Sequence, residues 1–327
     1  MSIESYKHVK RFINNGLGRL FGLEIQLVKY HPPNTKARDS LKPFFTELGW
    51  SKAIKLEYGV FDIEYGELFV FHDSGLFSCL SVTLWCICDL LALGYMPRKI
   101  NFSGTFSAYK DALDVDIYSR LFETNIDENF ISEILKNPKS RFKRFDHHGD
   151  YGGFDSELHS LLVRTYLQLN ETVVGRAQLM RSRYIIPEQR YVGVCIRGTD
   201  KSVEVPPTDS ALYIEITESL LSRGLVDRIL IQTDQAQICN LFKGYFGSIC
   251  DVIEDLPRTN GRIVVHKSKE LDGQRVDFAR NMLAAVSIIS TMPYVVTHSG
   301  NVGAWIVLMR GSSENVWQAT KDGIVQQ

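Results

Sequence analysis

Short apolar runs alternate with longer segments of helical periodicity through the C-terminal half of the chain. The apolar runs have the length of strands, and the segments between them have apolar residues at helical spacing. Strand and helix in alternation predict a doubly wound α/β domain with a parallel sheet and right-handed crossovers. The predicted strands are 191–196, 227–234, 249–254 and 294–300, and the predicted helices are 209–225, 235–247, 275–292 and 301–311.

The same alternation begins earlier, near residue 67. The apolar run LFVF is followed by the turn HDSG, by a helix from Ser78 to Leu93 that stops at Gly94, and by the strand KINFSG. This β-α-β unit predicts a first parallel sheet. Residues 105–150 predict one or two helices and then a loop rich in glycine, aromatic residues and histidine, whereas residues 156–184 have helical periodicity.

The length of 327 residues is typical of two domains, and the fold class that we expect is α/β. We place an N-terminal extension with a helix at 1–66, a first Rossmann-like domain at 67–187 and a second one, with the C-terminal tail, at 188–327. The extension combines basic and apolar residues. Its helix either packs on the body of the protein or makes a peripheral contact with a membrane surface.

The composition argues against a nucleic-acid-binding, a disulfide-bonded or a membrane-spanning protein. The formal net charge of -1 provides no general attraction for nucleic acid. The six cysteines form no CxxC pair, so we expect reduced core cysteines and a cytoplasmic protein. The N-terminus lacks the apolar run of a secretory signal, and the longest apolar run contains Asp89 and is too short to span a bilayer. We therefore expect no transmembrane segment.

Polar clusters follow three of the predicted strands in the C-terminal half. Arg197 follows the predicted strand 191–196, and Asp234 ends the strand 227–234. Ser299, Gly300 and Asn301 lie where the strand 294–300 is followed by a helix. Adjacent parallel strands bring such ends to one edge of the sheet, where ligands bind. A guanidinium and free amides at a helix N-terminus suit a phosphate, and a carboxylate suits a base or ribose. The pattern therefore predicts a nucleoside diphosphate site.

Each of these residues also has a purely structural interpretation. Arg197 would form a salt bridge with Asp200 or Asp209, and Asp234 and Ser299 would cap the helices that follow them. The HDSG turn, which comprises His72, Asp73, Ser74 and Gly75, is either a simple turn or part of a cleft. We expect no metal, because the histidine pair of residues 147 and 148 lacks the spacing of a metal site.

Three stretches resemble the peptide motifs of the α1,6-fucosyltransferases and protein O-fucosyltransferases. YVGVCIRGTDK (191–201) resembles the first motif, ILIQTDQAQICNLFKGYFG (229–247) the second, and IISTMPYVVTHSGNVGAWIVLMRG (288–311) the third. The resemblance implies a GT-B-like fold, in which two Rossmann-like domains face a cleft. It also implies an inverting, metal-independent transfer of a sugar, fucose above all, from a GDP-sugar that is a co-substrate, with no further cofactor.

The resemblance also implies roles for individual residues. Arg197 would bind the β-phosphate of the donor, Asp234 would lie near the guanosine, and Ser299 and Asn301 would bind the diphosphate. Glu204 is the nearest match to the acid sometimes assigned as the base. The other residues expected along the cleft are Thr199, Asp200, Lys201 and His298. The chain departs from the motif at Cys195, where the family has histidine, and at Gly198, where it has a second arginine.

The expected function is therefore transfer of a sugar to a hydroxyl of a glycan, a lipid-linked acceptor or a protein. Two alternatives remain. The departures at Cys195 and Gly198 are compatible with a protein that binds the nucleotide sugar without catalysis. A pyruvyl or methyl transferase on a similar fold is the second alternative, although the glycine-rich first loop that methyl transfer requires is missing.

Overall fold

The computed structural model describes residues 53–112, 115–197, 210–259, 265–320 and 323–327. The predicted N-terminal extension lies outside this part of the chain, except for its last residues. Two sheets and the helices around them account for most of the described residues. The α/β class and the alternation of strand and helix in the C-terminal half are confirmed.

The first sheet has four strands in the order β1-β2-β3-β4. Its β3 and β4 are parallel and are joined through helix α1, which confirms the predicted β-α-β unit. The pairs β1-β2 and β2-β3 are antiparallel, so this sheet begins before residue 67, where we placed the domain boundary. The elements are β1 (Ala53–Lys55), β2 (Gly59–Asp62), β3 (Glu67–Val70), α1 (Leu76–Leu93) and β4 (Lys99–Asn101).

Helix α1 is a core helix. Most of its side chains are buried, and Gly94 ends it in the left-handed conformation, with a φ of 88°. The indole Nε1 of Trp305 donates to Ser81 Oγ at 2.9 Å and so connects α1 to the second half of the chain. By length and composition α1 would also pass as a membrane span, but 72% of its residues are buried inside the fold.

The middle of the chain is helical and packs on helices of both halves. Asp155 and Asn170 cap two of its helices by accepting hydrogen bonds from the amides of Leu158 and Val173. The elements are α2 (Tyr118–Leu121), β5 (Phe122–Glu123), α3 (Glu128–Lys136), α4 (Ser156–Tyr166), β6 (Gln168–Leu169) and α5 (Glu171–Tyr184). Helices α4 and α5 precede the predicted boundary near residue 187, yet they pack against helices of the second half.

The second sheet has six strands in the order β12-β11-β10-β7-β8-β9. All neighbours are parallel except β11 and β12, which form a C-terminal hairpin that the sequence analysis did not predict. Its strands are β7 (Tyr191–Ile196), β8 (Arg228–Thr233), β9 (Cys250–Val252), β10 (Tyr294–His298), β11 (Val316–Thr320) and β12 (Gly323–Gln326). Its helices are α6 (Ser210–Ser222), α7 (Ala236–Phe246), α8 (Arg275–Ser290) and α9 (Asn301–Arg310).

Both faces of this sheet are covered by helices. Val192 and Val194 of β7 belong to one apolar cluster with α6 and α7, whereas Tyr191 and Cys195 belong to another with α8 and α9. Alternate residues of a strand point to opposite faces, so the cluster membership shows a doubly wound sheet. The second cluster continues into α1 and joins the two sheets through one hydrophobic core.

Candidate functional site

A cleft lies at the carboxyl ends of β7 and β8. This is the edge of a doubly wound sheet at which ligands bind. Residues from both halves of the chain line it. They are Leu76, Phe77, Tyr109, Cys195, Ile196, Arg197, Gln232, Thr233, Asp234, Leu256, Pro257, Val265, His266, Phe278, Met282, Val286 and Val302.

Arg197 reaches across the cleft to the start of helix α1. A Cβ atom built on Gly75 would lie 3.7 and 3.8 Å from the two terminal nitrogens of its guanidinium. Gly75 is the N-cap of α1 and provides no side-chain cap, although the amide of Leu76 donates to the Tyr109 hydroxyl at 2.9 Å. A helix N-terminus carries partial positive charge, and a guanidinium carries a full one. The two groups together give this end of the cleft a positive potential, which favours an anion.

The end of β8 provides acceptors to the same cleft. Asp234 and Gln232 both line it, and the side chain of Gln232 is only 8% exposed. Within the described part of the chain, the side-chain oxygen of Gln232 has no hydrogen-bond partner. A buried acceptor without a donor is costly, so this oxygen is suited to a polar group of a ligand or to a water.

The wall beyond Asp234 is apolar and aromatic. The rings of Tyr109 and Phe278 are stacked with their centroids 6.0 Å apart and an interplanar angle of 8°. His266 lies 5.8 Å from Tyr109, and Leu256 and Met282 continue the wall. An apolar slot edged by acceptors is the kind of environment that a planar nucleobase occupies. The cleft therefore has a positively charged end and an apolar, aromatic wall.

The third predicted strand end does not open into this cleft. The amide of Ser299 donates to the Ala319 carbonyl at 2.8 Å, and its hydroxyl accepts from Gln318 Nε2 at 2.9 Å. The amide of Gly300 donates to the Tyr151 hydroxyl at 3.0 Å. The prediction that amides of residues 299 and 300 are free for an anion is therefore wrong, because partners within the chain already occupy both.

Asn301 and His298 are also turned inward. Asn301 is the first residue of α9 and is 9% exposed, and His298 is 7% exposed. The Nδ1 atom of His298 lies 3.3 Å from the carbonyl oxygen of Cys195. Neither side chain lines the cleft, and from this turn only Val302 does. The predicted diphosphate contacts of Ser299 and Asn301 therefore find no support in the geometry.

The HDSG turn forms the other edge of the cleft through Gly75. His72 Nε2 lies 2.9 Å from Ser78 Oγ, and burial lowers the pKa of His72 although the neighbouring Asp73 opposes that shift. Asp73 accepts hydrogen bonds from the amide of Ser107, at 3.0 Å, and from its hydroxyl. Ser74 is exposed. The turn is thus held by hydrogen bonds to neighbouring segments, and burial favours the neutral form of His72.

Cys195 occupies the place where the resembled motif has histidine. The residue lines the cleft, but its side chain is buried, and burial raises the pKa of its thiol to about 12. A neutral thiol is neither a base nor a strong ligand for phosphate. All six cysteines are buried and free, which confirms that they are core residues.

Several predicted site residues lie outside the described part of the chain. They are Gly198, Thr199, Asp200, Lys201 and Glu204. The segment follows Arg197 directly, so these residues stay sequence-based predictions.

Within the described residues, no group of three or more His, Cys, Asp or Glu side chains is placed to hold a metal ion. Acidic tripeptides of the form Asp-x-Asp are a further candidate for metal binding, and the sequence contains one, at 114–116. Its second acid, Asp116, accepts hydrogen bonds from the amides of Phe102 and Tyr118 at 3.0 and 2.9 Å. That carboxylate therefore has a structural role in a turn.

Sequence reasoning missed several cleft residues. Gln232 and Thr233 directly precede Asp234 in the predicted strand 227–234, so their position near a predicted site residue was a signal that could have identified them. Tyr109, His266 and Phe278 come from segments far apart in the chain. Since none belongs to a motif, no local signal marks them.

No protein-family model matches the chain, and no curated protein matches it. Among solved structures, the chain is similar to NodZ α-1,6-fucosyltransferase soaked with GDP-fucose, with a TM-score of 0.49 and 11% identity over 79% of this chain and 99% of that one. It is also similar to the fucosyltransferase NodZ from Bradyrhizobium, with a TM-score of 0.46 and 12% identity over 79% and 98%.

A mutant of Arabidopsis thaliana FUT1 in complex with GDP is a third similar structure. Its TM-score is 0.38 and its identity 14%, over 85% of this chain and 57% of that one. The two NodZ proteins are named fucosyltransferases. Because identity and structural overlap are both low, we base the proposals below on the residues of this chain.

Proposed function

We propose that the protein is a glycosyltransferase that uses a GDP-sugar, with GDP-fucose as the donor. One observation carries this proposal: Arg197, at the carboxyl end of β7, faces the N-terminus of α1 across a cleft lined by Asp234 and an apolar slot. The cleft has one place for a phosphate and another for a base. The resemblance of the three motifs to fucosyltransferases supports the choice of sugar.

The proposed reaction is a single displacement with inversion. An acceptor hydroxyl attacks the anomeric carbon of the sugar, a new C–O bond forms, and the bond to the β-phosphate oxygen breaks. GDP leaves with that electron pair, and a base takes the proton of the hydroxyl. Negative charge grows on the β-phosphate, where Arg197 and the positive end of the α1 dipole stabilise it. Glu204 remains the sequence-based candidate for the base.

Guanine is the proposed base of the donor because of the acceptors at the end of β8. The Watson–Crick edge of guanine presents two neighbouring N–H donors, which a carboxylate can accept together. Asp234 provides such a carboxylate, and the unpartnered oxygen of Gln232 provides another acceptor beside it. Uracil lacks this pair of donors, so the same residues discriminate against UDP.

Metal independence is part of the proposal. Arg197 and the helix N-terminus provide the positive charge that a divalent cation would otherwise bring to a diphosphate. Donor turnover is therefore expected to be unchanged by a chelator. Loss of turnover in chelator that manganese or magnesium restores would contradict this part of the proposal. A cytoplasmic location remains a prediction from the sequence.

A protein that binds the nucleotide sugar without transferring it is a second candidate. The buried, neutral Cys195 favours it, because the resembled motif has a histidine at that place. The two candidates agree on the ligand and differ on turnover. Release of GDP from GDP-fucose in the presence of a panel of acceptors would identify the enzyme, whereas binding without release would identify the second candidate.

Thermal-shift measurements test the ligand assignment. GDP, UDP, CMP and S-adenosylhomocysteine are added separately to the purified protein, since a ligand that binds only the folded state raises the melting temperature. GDP is expected to give the largest shift. A shift by S-adenosylhomocysteine would indicate methyl transfer, and a shift by CMP or UDP alone would contradict the guanine assignment.

A further inference from the structure

Before its last two residues, helix α1 reaches the surface along one stripe. From Leu76 to Leu91 every side chain is buried except those of Ser78, Trp85 and Asp89, which are partly exposed. Trp85 follows Ser78 by seven residues and precedes Asp89 by four, so the three side chains lie on one face of the helix. The stripe begins one turn after Gly75, beside the guanidinium of Arg197.

Four partly exposed rings lie along this stripe, and we term them the aromatic row: His72, Tyr58, Trp85 and His147. Their centroids are 5.6 Å apart for His72 and Tyr58, 6.3 Å for Tyr58 and Trp85, and 5.6 Å for Trp85 and His147. His72 is also held to Ser78, near the start of the stripe. The row therefore leads away from the anion site along α1.

Charged groups hold the row in place. Arg144 binds Glu57 at 2.6 Å and Asp89 at 2.5 Å, and its guanidinium carbon lies 6.0 Å from the Tyr58 ring and 5.8 Å from the Trp85 ring. The group of Arg144, Glu57 and Asp89 contains one guanidinium and two carboxylates, so its formal charge is -1. A fixed set of rings loses little conformational freedom when a ligand binds.

We propose that the aromatic row is the acceptor subsite and binds the pyranose rings of a neutral oligosaccharide. Aromatic rings offer apolar area to the C–H faces of sugars, and the neighbouring carboxylates offer acceptors to their hydroxyls. The net negative charge disfavours acidic acceptors. This inference rests on the proposed function, because Arg197 marks the end of the subsite at which GDP leaves.

The length of the row indicates an acceptor of more than one sugar. Gly75 and Trp85 are ten residues apart on α1, which corresponds to about 15 Å along the helix axis. His72 and Tyr58 lie between these two points. A reacting hydroxyl near Gly75 therefore belongs to a chain whose following sugars contact Tyr58, Trp85 and His147.

Binding to an array of neutral, sialylated and sulfated oligosaccharides tests the proposal. Wild-type protein, His147→Ala and Tyr58→Ala are compared at saturating GDP, with Tyr245→Ala as the matched control. Tyr245 is a surface ring of α7, 54% exposed, outside the row. We expect wild type to bind neutral oligosaccharides and both row variants to bind them roughly tenfold more weakly. Tyr245→Ala should bind as wild type does.

GDP affinity and melting temperature are measured on the same preparations. Row variants that keep the GDP affinity and melting temperature of wild type, yet lose oligosaccharide binding, support the acceptor subsite. Wild type that binds GDP but no oligosaccharide, a preference for acidic glycans, or full binding by His147→Ala would overturn it. Failure of wild type to bind GDP would instead contradict the proposed function. The acceptor subsite would still be tested in that case, because oligosaccharide binding by the row variants is compared with that of wild type.

Discussion

Two strand ends of the second sheet look alike in sequence and differ in the structure. Strands β7 and β10 are parallel neighbours, and a polar cluster follows each of them. Arg197, after β7, lines the cleft, whereas Ser299 and Gly300, after β10, are hydrogen-bonded to Ala319, Gln318 and Tyr151. One end therefore lines the cleft, and the other is part of the core.

The difference arises from residues distant in sequence. The Tyr151 hydroxyl lies within hydrogen-bond distance of the carbonyls of His298 and Gly300, at 2.9 and 3.0 Å, as well as of the Gly300 amide. Backbone groups that are buried must find partners, and here a loop from the first half of the chain provides them. A position at the correct edge of a sheet is thus insufficient for a binding site.

The largest effect should follow from Arg197→Ala. If Arg197 stabilises the charge on the leaving phosphate, turnover of GDP-fucose should fall by about 10² to 10³. Arg197→Lys should restore activity only in part, because an ammonium lacks the bidentate fork. Arg197 is partly exposed at a strand end, so the melting temperature should change little. A lower melting temperature with unchanged activity per folded molecule would show that the arginine is structural.

Asp234→Asn should alter the choice of nucleotide. The amide loses one of the two acceptors that guanine requires, so GDP affinity should fall about tenfold while UDP affinity changes little. Calorimetry with both nucleotides on wild type and variant measures the change. An equal loss for GDP and UDP would indicate that Asp234 contacts the part that they share.

Gly303→Ala should destabilise the closed strand end. A Cβ atom there would lie 2.2 Å from the His298 carbonyl oxygen and 2.5 Å from the Tyr151 hydroxyl, which forces a rearrangement that costs about 1–3 kcal/mol. Gly244→Ala is the control, since a Cβ on that helical glycine meets nothing within 4 Å and should stabilise the protein by about 0.5–1 kcal/mol. Equal melting temperatures for the two variants would contradict the account of this turn.

The smallest effect should follow from Ser299→Ala. The change removes the hydrogen bond with Gln318 and should cost about 0.5–1.5 kcal/mol of stability, without changing GDP affinity. The role implied by the family resemblance gives the opposite expectation, a weaker affinity for GDP. Calorimetry on the folded variant distinguishes the two.

Much of the second sheet was predictable from sequence because its strands and helices have clear periodicity. The strands at 191–196 and 294–300 and the helix at 275–292 were located to within a few residues. The carboxyl ends of adjacent parallel strands lie at one edge of a sheet, so Arg197 and Asp234 were expected there together. Local pattern and general topology were sufficient for this part of the site.

The remaining features depend on contacts between segments far apart in the chain. Tyr109 and Phe278 are 169 residues apart in the chain, and their rings stack in the cleft. The Tyr151 hydroxyl accepts a hydrogen bond from the amide of Gly300, which is 149 residues further along the chain. The antiparallel strands before residue 67 are short, and their few residues show little periodicity. Sequence pattern reports local structure, so it carried no signal for these contacts.

The central claim is that Arg197 binds the β-phosphate of a guanine nucleotide. Calorimetry of GDP and GMP with wild-type protein and with Arg197→Ala tests it directly, because the two nucleotides differ only in that phosphate. Wild type should bind GDP at least about tenfold more tightly than GMP, and in the variant this difference should largely disappear. The same preference for GDP over GMP in both proteins would contradict the claim.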